Sequence, residues 1–395
     1  MIGVIADDLS GAAEIGALGL RHGLTSEIVT HGTRPGRADL VCIDTDSRSR
    51  TASDAVERNR DAARVLQAAG AEWIYKKVDS VLRGHVAAEL HAVMDALACD
   101  RALLVPANPS RKRIVRGGKY YIDGRPIDQT EFAHDPEYPR NTARVVDLLG
   151  PARQGAMRVF RQTDPLVGNG IGIGEASKLA DLKVWAGRLT PGIVAAGAAE
   201  FFAALLEARG FPERSETAEL ERCDEPRREL FVCGTASRSG REFVRASRLR
   251  KVPIFSLPSE LVWGADFSEL ARLAVARRAA AACATSLRVI LHVGLPNMRR
   301  PEAARMLTEH LVRLAELVLG LADVTSVYAE GGATAAALMQ RMGWTRLKVM
   351  SELAPGVARL AAGKDGRIWL TVKPGSYAWP AAVRKGAALA CGRVA

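Results

Sequence analysis

Short apolar runs rich in β-branched residues alternate along this chain with longer amphipathic stretches. Met1–Ala6, Leu40–Ile43, Trp73–Val78 and Ala102–Pro106 have the length and composition of buried strands. The first three end in acidic or small polar residues: Asp7-Asp8-Leu9-Ser10-Gly11, Asp44-Thr45-Asp46-Ser47 and Asp79-Ser80. Helical spacing then takes over, as in the Ala-rich segment after Gly11 and over His85–Leu97. Alternation of this kind predicts βαβ units and a parallel sheet. Lys119–Ile127 breaks the pattern, because Asp123-Gly124 between two short apolar runs suits a type I′ turn. It predicts an antiparallel flap. The stretch after Phe132, with Asp135-Pro136 and Tyr138-Pro139, reads as a loop before a helix near Thr142–Leu149. Gly168–Gly174 alternates as G-x-G-x-G, which predicts a loop or bulge in preference to a dinucleotide-binding turn.

From Glu213 to Arg228 the chain is strongly charged and poor in large apolar residues, which marks a boundary. The predicted domains are 1–215 and 226–395, and a chain of 395 residues is long enough for two cores. Beyond the boundary the alternation restarts. Leu230–Cys233 precedes Gly234-Thr235-Ala236-Ser237, and Val289–Val293 precedes Gly294. Val324–Tyr328 leads to Glu330-Gly331-Gly332, and Ile368–Val372 leads to Lys373-Pro374-Gly375. The expected fold class is α/β, with two domains, each a mostly parallel sheet with flanking helices, and a β-hairpin flap in the first.

Composition narrows the class little further. At 48% hydrophobic and 25% charged, the chain reads as globular and not disordered. No apolar run reaches the roughly 18 residues of a membrane helix, so no membrane partner is expected. The six cysteines are scattered, without a C-x-x-C pair or clustered histidines. That pattern suggests reduced thiols in a cytoplasmic protein and argues against structural zinc. The net charge of +11 raises the question of nucleic acid, but 44 of the 55 basic residues are Arg spread along the whole chain. With only 5% aromatic residues there is no basic stripe interleaved with stacking platforms, and nucleic acid is not an expected partner.

Three constellations could carry chemistry. Asp7 and Asp8 stand where the first strand ends, the edge at which open parallel sheets bind ligands. A single carboxylate would suffice to cap the following helix, and two beside Gly11 point to polyol hydroxyls or a metal. Lys77-Val78-Asp79-Ser80-Val81-Leu82-Arg83-Gly84-His85 gathers cations, a carboxylate and a hydroxyl at one strand-to-helix junction, more polar types than capping requires. Lys77 and Arg83 could clamp a carboxylate or phosphate there, and Gly84 would allow close backbone approach. His85 alone reads as a helix-start residue. The third group comprises the turns at Thr235-Ala236-Ser237, Gly331-Gly332-Ala333-Thr334 and Gly375. Glycine turns leading into helices expose N–H groups to phosphates, although none matches a P-loop.

At these residues the chain resembles the four-carbon acid sugar kinases, a family that includes threonate, erythronate and 3-oxo-tetronate kinases. Asp7-Asp8-Leu9-Ser10-Gly11-Ala12 is similar to the family's D-D-L-T-G-A, and Lys77 to His85 to its K-x-D-S-T-L-R-G-N. Pro106-Ala107-Asn108-Pro109, Gly118-Lys119-Tyr120-Tyr121 and Phe132-Ala133-His134-Asp135-Pro136 follow in the family's order. The resemblance implies a sugar-acid-binding first domain, a nucleotide-binding second domain, and ATP with Mg²⁺ serving the cleft between them. It implies Asp8 and Asp79 as catalytic residues, with Asp8 the base. Asp7, Lys77, Ser80, Arg83 and Gly84 would bind substrate. Thr235, Ser237, Gly331, Gly332, Ala333, Thr334 and Gly375 would line the nucleotide site, and no metal ligand is assigned. Ala333 stands where the family has an acidic residue, and Ala378 where it has a glycine that a left-handed backbone would require. The expected partner is a small-molecule sugar acid, with a homo-oligomer left open. The alternative reading is a sugar-acid-binding protein of the same fold with lost or redirected kinase activity.

Overall fold

The computed structural model describes residues 1–135, 137–150, 157–214, 228–235, 237–263, 267–294, 301–363, 366–375 and 377–385. Ala236, Cys223, Cys391 and most of the charged boundary stretch lie outside the described residues. The chain divides into two compact units, Met1–Ser215 and Glu216–Ala395. No helix among the described residues is long and apolar enough to cross a membrane.

The first unit opens with β1 (Ile2–Ala6), α1 (Leu9–Arg21), β2 (Ser26–Thr30), β3 (Leu40–Asp44), α2 (Ala52–Ala68), β4 (Trp73–Lys77), α3 (Val86–Ala96) and β5 (Arg101–Val105). A three-stranded antiparallel flap follows: β6 (Arg113–Arg116), β7 (Lys119–Ile122) and β8 (Arg125–Pro126). Then come α4 (Val145–Leu148), β9 (Arg158–Phe160), β10 (Gly170–Gly174), α5 (Leu179–Gly187), β11 (Ile193–Gly197) and α6 (Ala199–Ala208). The eight strands outside the flap pair in the order β2-β3-β1-β4-β11-β5-β10-β9, all parallel. β1 and β3 are buried along their whole length, as strands covered by helices on both faces must be. In α2 the buried positions are Ala55, Asn59, Ala62, Ala63 and Leu66, one face at helical spacing.

The flap turn has Asp123 at φ +49° and Gly124 at φ +79°, the two left-handed residues of a type I′ turn. The helix expected near Thr142–Leu149 is the single turn α4. One expectation is corrected. Gly168–Gly174 is not simply a loop or bulge, because Gly170–Gly174 is a strand paired on both sides. Ile171 and Ile173 are fully buried, and the glycines between them make room for aromatic rings. A Cβ on Gly172 would lie 3.1 Å from the Phe160 ring, and one on Gly174 would lie 2.8 Å from Trp185.

The second unit holds β12 (Glu229–Cys233), α7 (Arg238–Leu249), β13 (Ile254–Ser256), α8 (Glu269–Ser286), β14 (Arg288–His292) and α9 (Pro301–Leu321). These are followed by β15 (Ser326–Glu330), α10 (Gly332–Met342), β16 (Arg346–Ala354), β17 (Val357–Ala362), β18 (Ile368–Lys373) and α11 (Ala381–Lys385). Strands β13-β14-β12-β15-β18 run parallel, and β17 and β16 extend the sheet antiparallel beyond β18. Phe231 stacks on Tyr328 with ring centroids 4.3 Å apart, and Trp379 meets both edge-on. The strand expected at Val324–Tyr328 runs two residues later, which makes Glu330 its last, fully buried position and not part of the turn.

Candidate functional site

Strand register assembles the site of the first unit. Ala6, the last residue of β1, pairs with Asp44 of β3 on one side and Lys77 of β4 on the other. The segments leaving these three neighbouring strands therefore emerge side by side at the carboxyl edge, where open parallel sheets bind ligands. Arg48, on the segment after β3, stands at the centre. Its Nε donates to Asp7 Oδ2 and its Nη1 to Asp8 Oδ2, each at 2.7 Å, and its Nη2 lies 3.6 Å from Asp79 Oδ1. Asp8 also caps α1, accepting from the Gly11 N–H at 2.8 Å and from the Ser10 hydroxyl at 2.5 Å. Capping and a site role thus coexist in one side chain.

Asp79 closes a tight loop on itself. It accepts from the Val81 N–H, the Arg83 N–H, Arg83 Nε at 3.0 Å and Arg83 Nη2 at 2.9 Å. Leu82 at φ +63° and Gly84 at φ +88° reverse the backbone around it. Arg83 Nη1 lies 3.6 Å from Asp135. The flap is tied to the same loop, because Arg113 donates to the Ser80 hydroxyl and Tyr120 to the Ser80 carbonyl. Ser80 does not cap α3; His85 occupies that position and its ring meets the Arg50 carbonyl at 2.7 Å.

Electrostatics separate the three acids. Burial pushes Asp8 up, but Arg48, the Ser10 hydroxyl, Lys77 and the Gly11 N–H outweigh it and hold the carboxyl below the usual range. Burial also opposes the charge on Asp79, yet Arg83 and Arg48 keep it well below that range. Asp7, 2% exposed, goes the other way: burial and then repulsion from Asp8 raise it despite Arg48 and Lys76. Asp8 and Asp79 are ionised acceptors at neutral pH.

Asp7, Asp8, Asp79, Ser80, Arg83 and Gly84 are all brought to this edge. Lys77 is brought there too, buried, 3.3 Å from Glu14 of α1 and donating to the Val78 carbonyl at 3.1 Å, so part of its donor capacity is spent within the protein. Arg48 is the residue that sequence reading missed. Its signal was the run Asp44-Thr45-Asp46-Ser47-Arg48, which repeats the strand-to-acid pattern of the first motif. Asp135 stood in a motif without an assigned role, and Tyr138 and Arg140 only in the predicted loop; the Tyr138 hydroxyl donates to the Arg48 carbonyl.

In the second unit, Cys233, Glu330 and Lys373 sit on one rung at the ends of β12, β15 and β18. Lys373 donates to Glu330 at 2.9 Å and to the carbonyls of Pro374 and Gly375, which ties the turn to the strand end. Burial outweighs the attraction within this pair, raising Glu330 and lowering Lys373. The expected glycine turns gather here. Gly331 has φ +99° and donates to the Lys373 carbonyl at 3.0 Å. A Cβ on Gly234 would overlap the Thr334 hydroxyl, and one on Gly375 would lie 3.2 Å from that of Thr235. Ser237 caps α7 through the Gly240 N–H. The N-cap residue of α10 is Gly331, which has no side chain to cap it, so among the described residues the helix's first-turn N–H groups are open to another acceptor, and Ala333 is exposed beside them. Ala378 does not have positive φ, so the alanine carries no left-handed backbone strain there. Among the described residues no group of three or more His, Cys, Asp or Glu could hold a metal ion.

A sugar-binding N-terminal domain family matches residues 2–179, and a nucleotide-binding C-terminal domain family matches residues 230–377. The 3-oxo-tetronate kinase of Methylobacterium radiotolerans is 28% identical over 95% of this chain and 96% of its own. The D-threonate kinase of Bordetella bronchiseptica is 36% identical over 39% of this chain, and the chain spans only 40% of that relative's length. The D-erythronate kinase of Heliobacterium modesticaldum is 34% identical over 37% of this chain and 35% of its own. Solved structures from Salmonella typhimurium LT2 and Haemophilus influenzae share the fold at TM-scores of 0.75 and 0.71. Each is 21% identical and covers 95% of this chain and 96% of its own. With both halves matched in order and its acidic and basic motifs placed at the sheet edges, the chain belongs to the four-carbon acid sugar kinase family.

Proposed function

We propose that this protein is a cytoplasmic kinase that transfers the γ-phosphoryl group of ATP to a hydroxyl of a four-carbon sugar acid. The observation that carries the reading is the set of ionised carboxylates, Asp8 and Asp79, held around Arg48 at the carboxyl edge of the first sheet. Carboxylates at a ligand-binding sheet edge accept hydroxyl protons, and relatives along the chain are named as kinases of such acids. Asp8, at 14% exposed, is more accessible than Asp79 and is the base in this reading. Phosphoryl transfer asks more for orientation and charge neutralisation than for a strong base, so a carboxylate of depressed pKa suits it.

The second unit would take the nucleotide. Gly234, Gly331 and Gly375 keep Cβ atoms out of the turns at the ends of β12, β15 and β18, and the uncapped start of α10 offers N–H donors to phosphate oxygens. Mg²⁺ would enter with the nucleotide, held by phosphate oxygens and water, since Glu330 at these turns is buried against Lys373. When bound it would neutralise phosphate charge. The alternative, a sugar-acid binder with lost or redirected kinase activity, draws on the exposed Ala333, which offers no carboxylate to ribose or metal. Incubation with ATP, Mg²⁺ and a panel of D-threonate, D-erythronate and 3-oxo-tetronate, with ADP release as the readout, tests the reading. ADP formation that depends on one acid supports it. Calorimetric binding of an acid with no ADP formed selects the alternative.

A further inference from the structure

Arg140 is held beside the acidic site of the first unit. Its N–H donates to the Phe132 carbonyl at 3.0 Å, and its guanidinium carbon lies 5.8 Å from the centre of the Tyr138 ring. The side chain is 7% exposed, yet Nε and Nη2 are buried without a hydrogen-bond partner. Among the described residues, the neighbouring cations of this edge are engaged. Arg48 is held by Asp7 and Asp8, Arg83 by Asp79, Lys77 by Glu14, and Arg113 by the Ser80 hydroxyl. The groups that act on Arg140 from the elements around it are Asp79, Asp135 and Tyr138, which favour its charge, and Arg83, which opposes it.

Buried N–H groups without acceptors are costly, and a guanidinium does not escape the cost by losing its proton. Nε and Nη2 form one edge of the guanidinium, the edge that meets both oxygens of a carboxylate side-on. Arg83 uses this same edge on Asp79. We propose that Arg140 binds the carboxylate of the sugar acid through Nε and Nη2 and thereby selects acids over neutral polyols. This inference rests on the sugar-acid reading given above. It assigns to Arg140 the part that sequence reading gave to Lys77 and Arg83, whose charges are already matched within the protein. The acid end of the substrate then faces Arg140, and its hydroxyls face Asp8 and Asp79.

The test compares wild type with Arg140→Gln and Arg140→Lys by isothermal titration. The probes are D-threonate and D-erythronate and their neutral amides, which keep the hydroxyls and lose the charge. Melting temperatures are taken without ligand. The loss of a charge-assisted pair predicts about 10- to 100-fold weaker acid binding in Arg140→Gln, with the preference for acid over amide abolished and partly restored in Arg140→Lys. The ligand-free Arg140→Gln protein should melt no lower than wild type, because an unmatched buried cation has been removed. An Arg140→Gln protein that binds the acid within threefold of wild type, or keeps the preference over the amide, overturns this inference alone. So does a variant that melts lower and weakens acid and amide equally, the signature of a structural arginine. If wild type binds neither acid, the sugar-acid reading fails and this inference fails with it.

Discussion

Replacing Arg48 with methionine removes the charge at the centre of the first site and keeps much of the side-chain volume. Asp7 and Asp8 each lose a 2.7 Å charge-assisted contact, while Asp79 retains Arg83. Breaking a buried pair by removing one partner costs about 3–5 kcal/mol. A second estimate agrees: protonating an ordinary aspartate at pH 7 costs roughly 4 kcal/mol, so neither stranded carboxylate can cost much more than that. For a unit of this size, about 3–5 kcal/mol lowers the melting temperature by about 6–20 °C. The pH dependence carries the sharper test. In wild type, Asp8 and Asp79 have depressed folded pKa values. Their stabilisation is present above the unfolded value near 3.8 and is lost as pH falls through the folded one. Asp7 is raised, so its ionisation works against the fold and protonation relieves it. Without Arg48 both Asp7 and Asp8 rise, and protonation restores the variant as pH falls. The gap between wild type and Arg48→Met should therefore narrow between pH 7 and pH 5 in urea unfolding followed by circular dichroism. A gap below about 1 kcal/mol at pH 7, or one that stays constant down to pH 5, would refute the reasoning.

Asp8→Asn keeps an oxygen to cap α1 and removes the base; kcat should fall by about 10²- to 10⁴-fold, and an unchanged kcat removes Asp8 from the chemistry. Glu330→Gln leaves Lys373 buried without its counter-charge and should destabilise the second unit by about 3–5 kcal/mol at pH 7. That deficit should shrink toward pH 9.5, because the folded pKa of Lys373, already lowered, falls further and the neutral amine is tolerated. Urea titrations at the two pH values check this, and a deficit that grows with pH contradicts it. Ala333→Asp at the start of α10 should tighten ATP–Mg²⁺ binding measured by calorimetry. Tight binding by wild type, unchanged in the variant, would show that no contact was missing there.

The local rules were legible without coordinates. Apolar runs marked β1, β3, β4 and β5 because buried parallel strands need continuous hydrophobicity. Asp123-Gly124 marked its turn because few other pairs accept two left-handed residues. Asp7, Asp8, Asp79 and Arg83 stood out because acids and cations at strand ends have no role in a core. What chain order does not contain is which strand lies beside which. β3 pairs with β1 across 38 residues, from Ile2 to Leu40, and only that pairing carries Arg48 between Asp8 and Asp79. Lys77 looked available until α1 packed Glu14 against it, and Arg140 looked like loop until the fold buried its guanidinium beside the Tyr138 ring. The glycines of β10 read as a loop because the rings that require them, Phe160 and Trp185, come from separate elements. Periodicity and turn conformation are set by neighbours in sequence, so the chain declares them. Charge pairing and free hydrogen-bonding capacity are set by long-range burial, and only the folded sheet edges decide them.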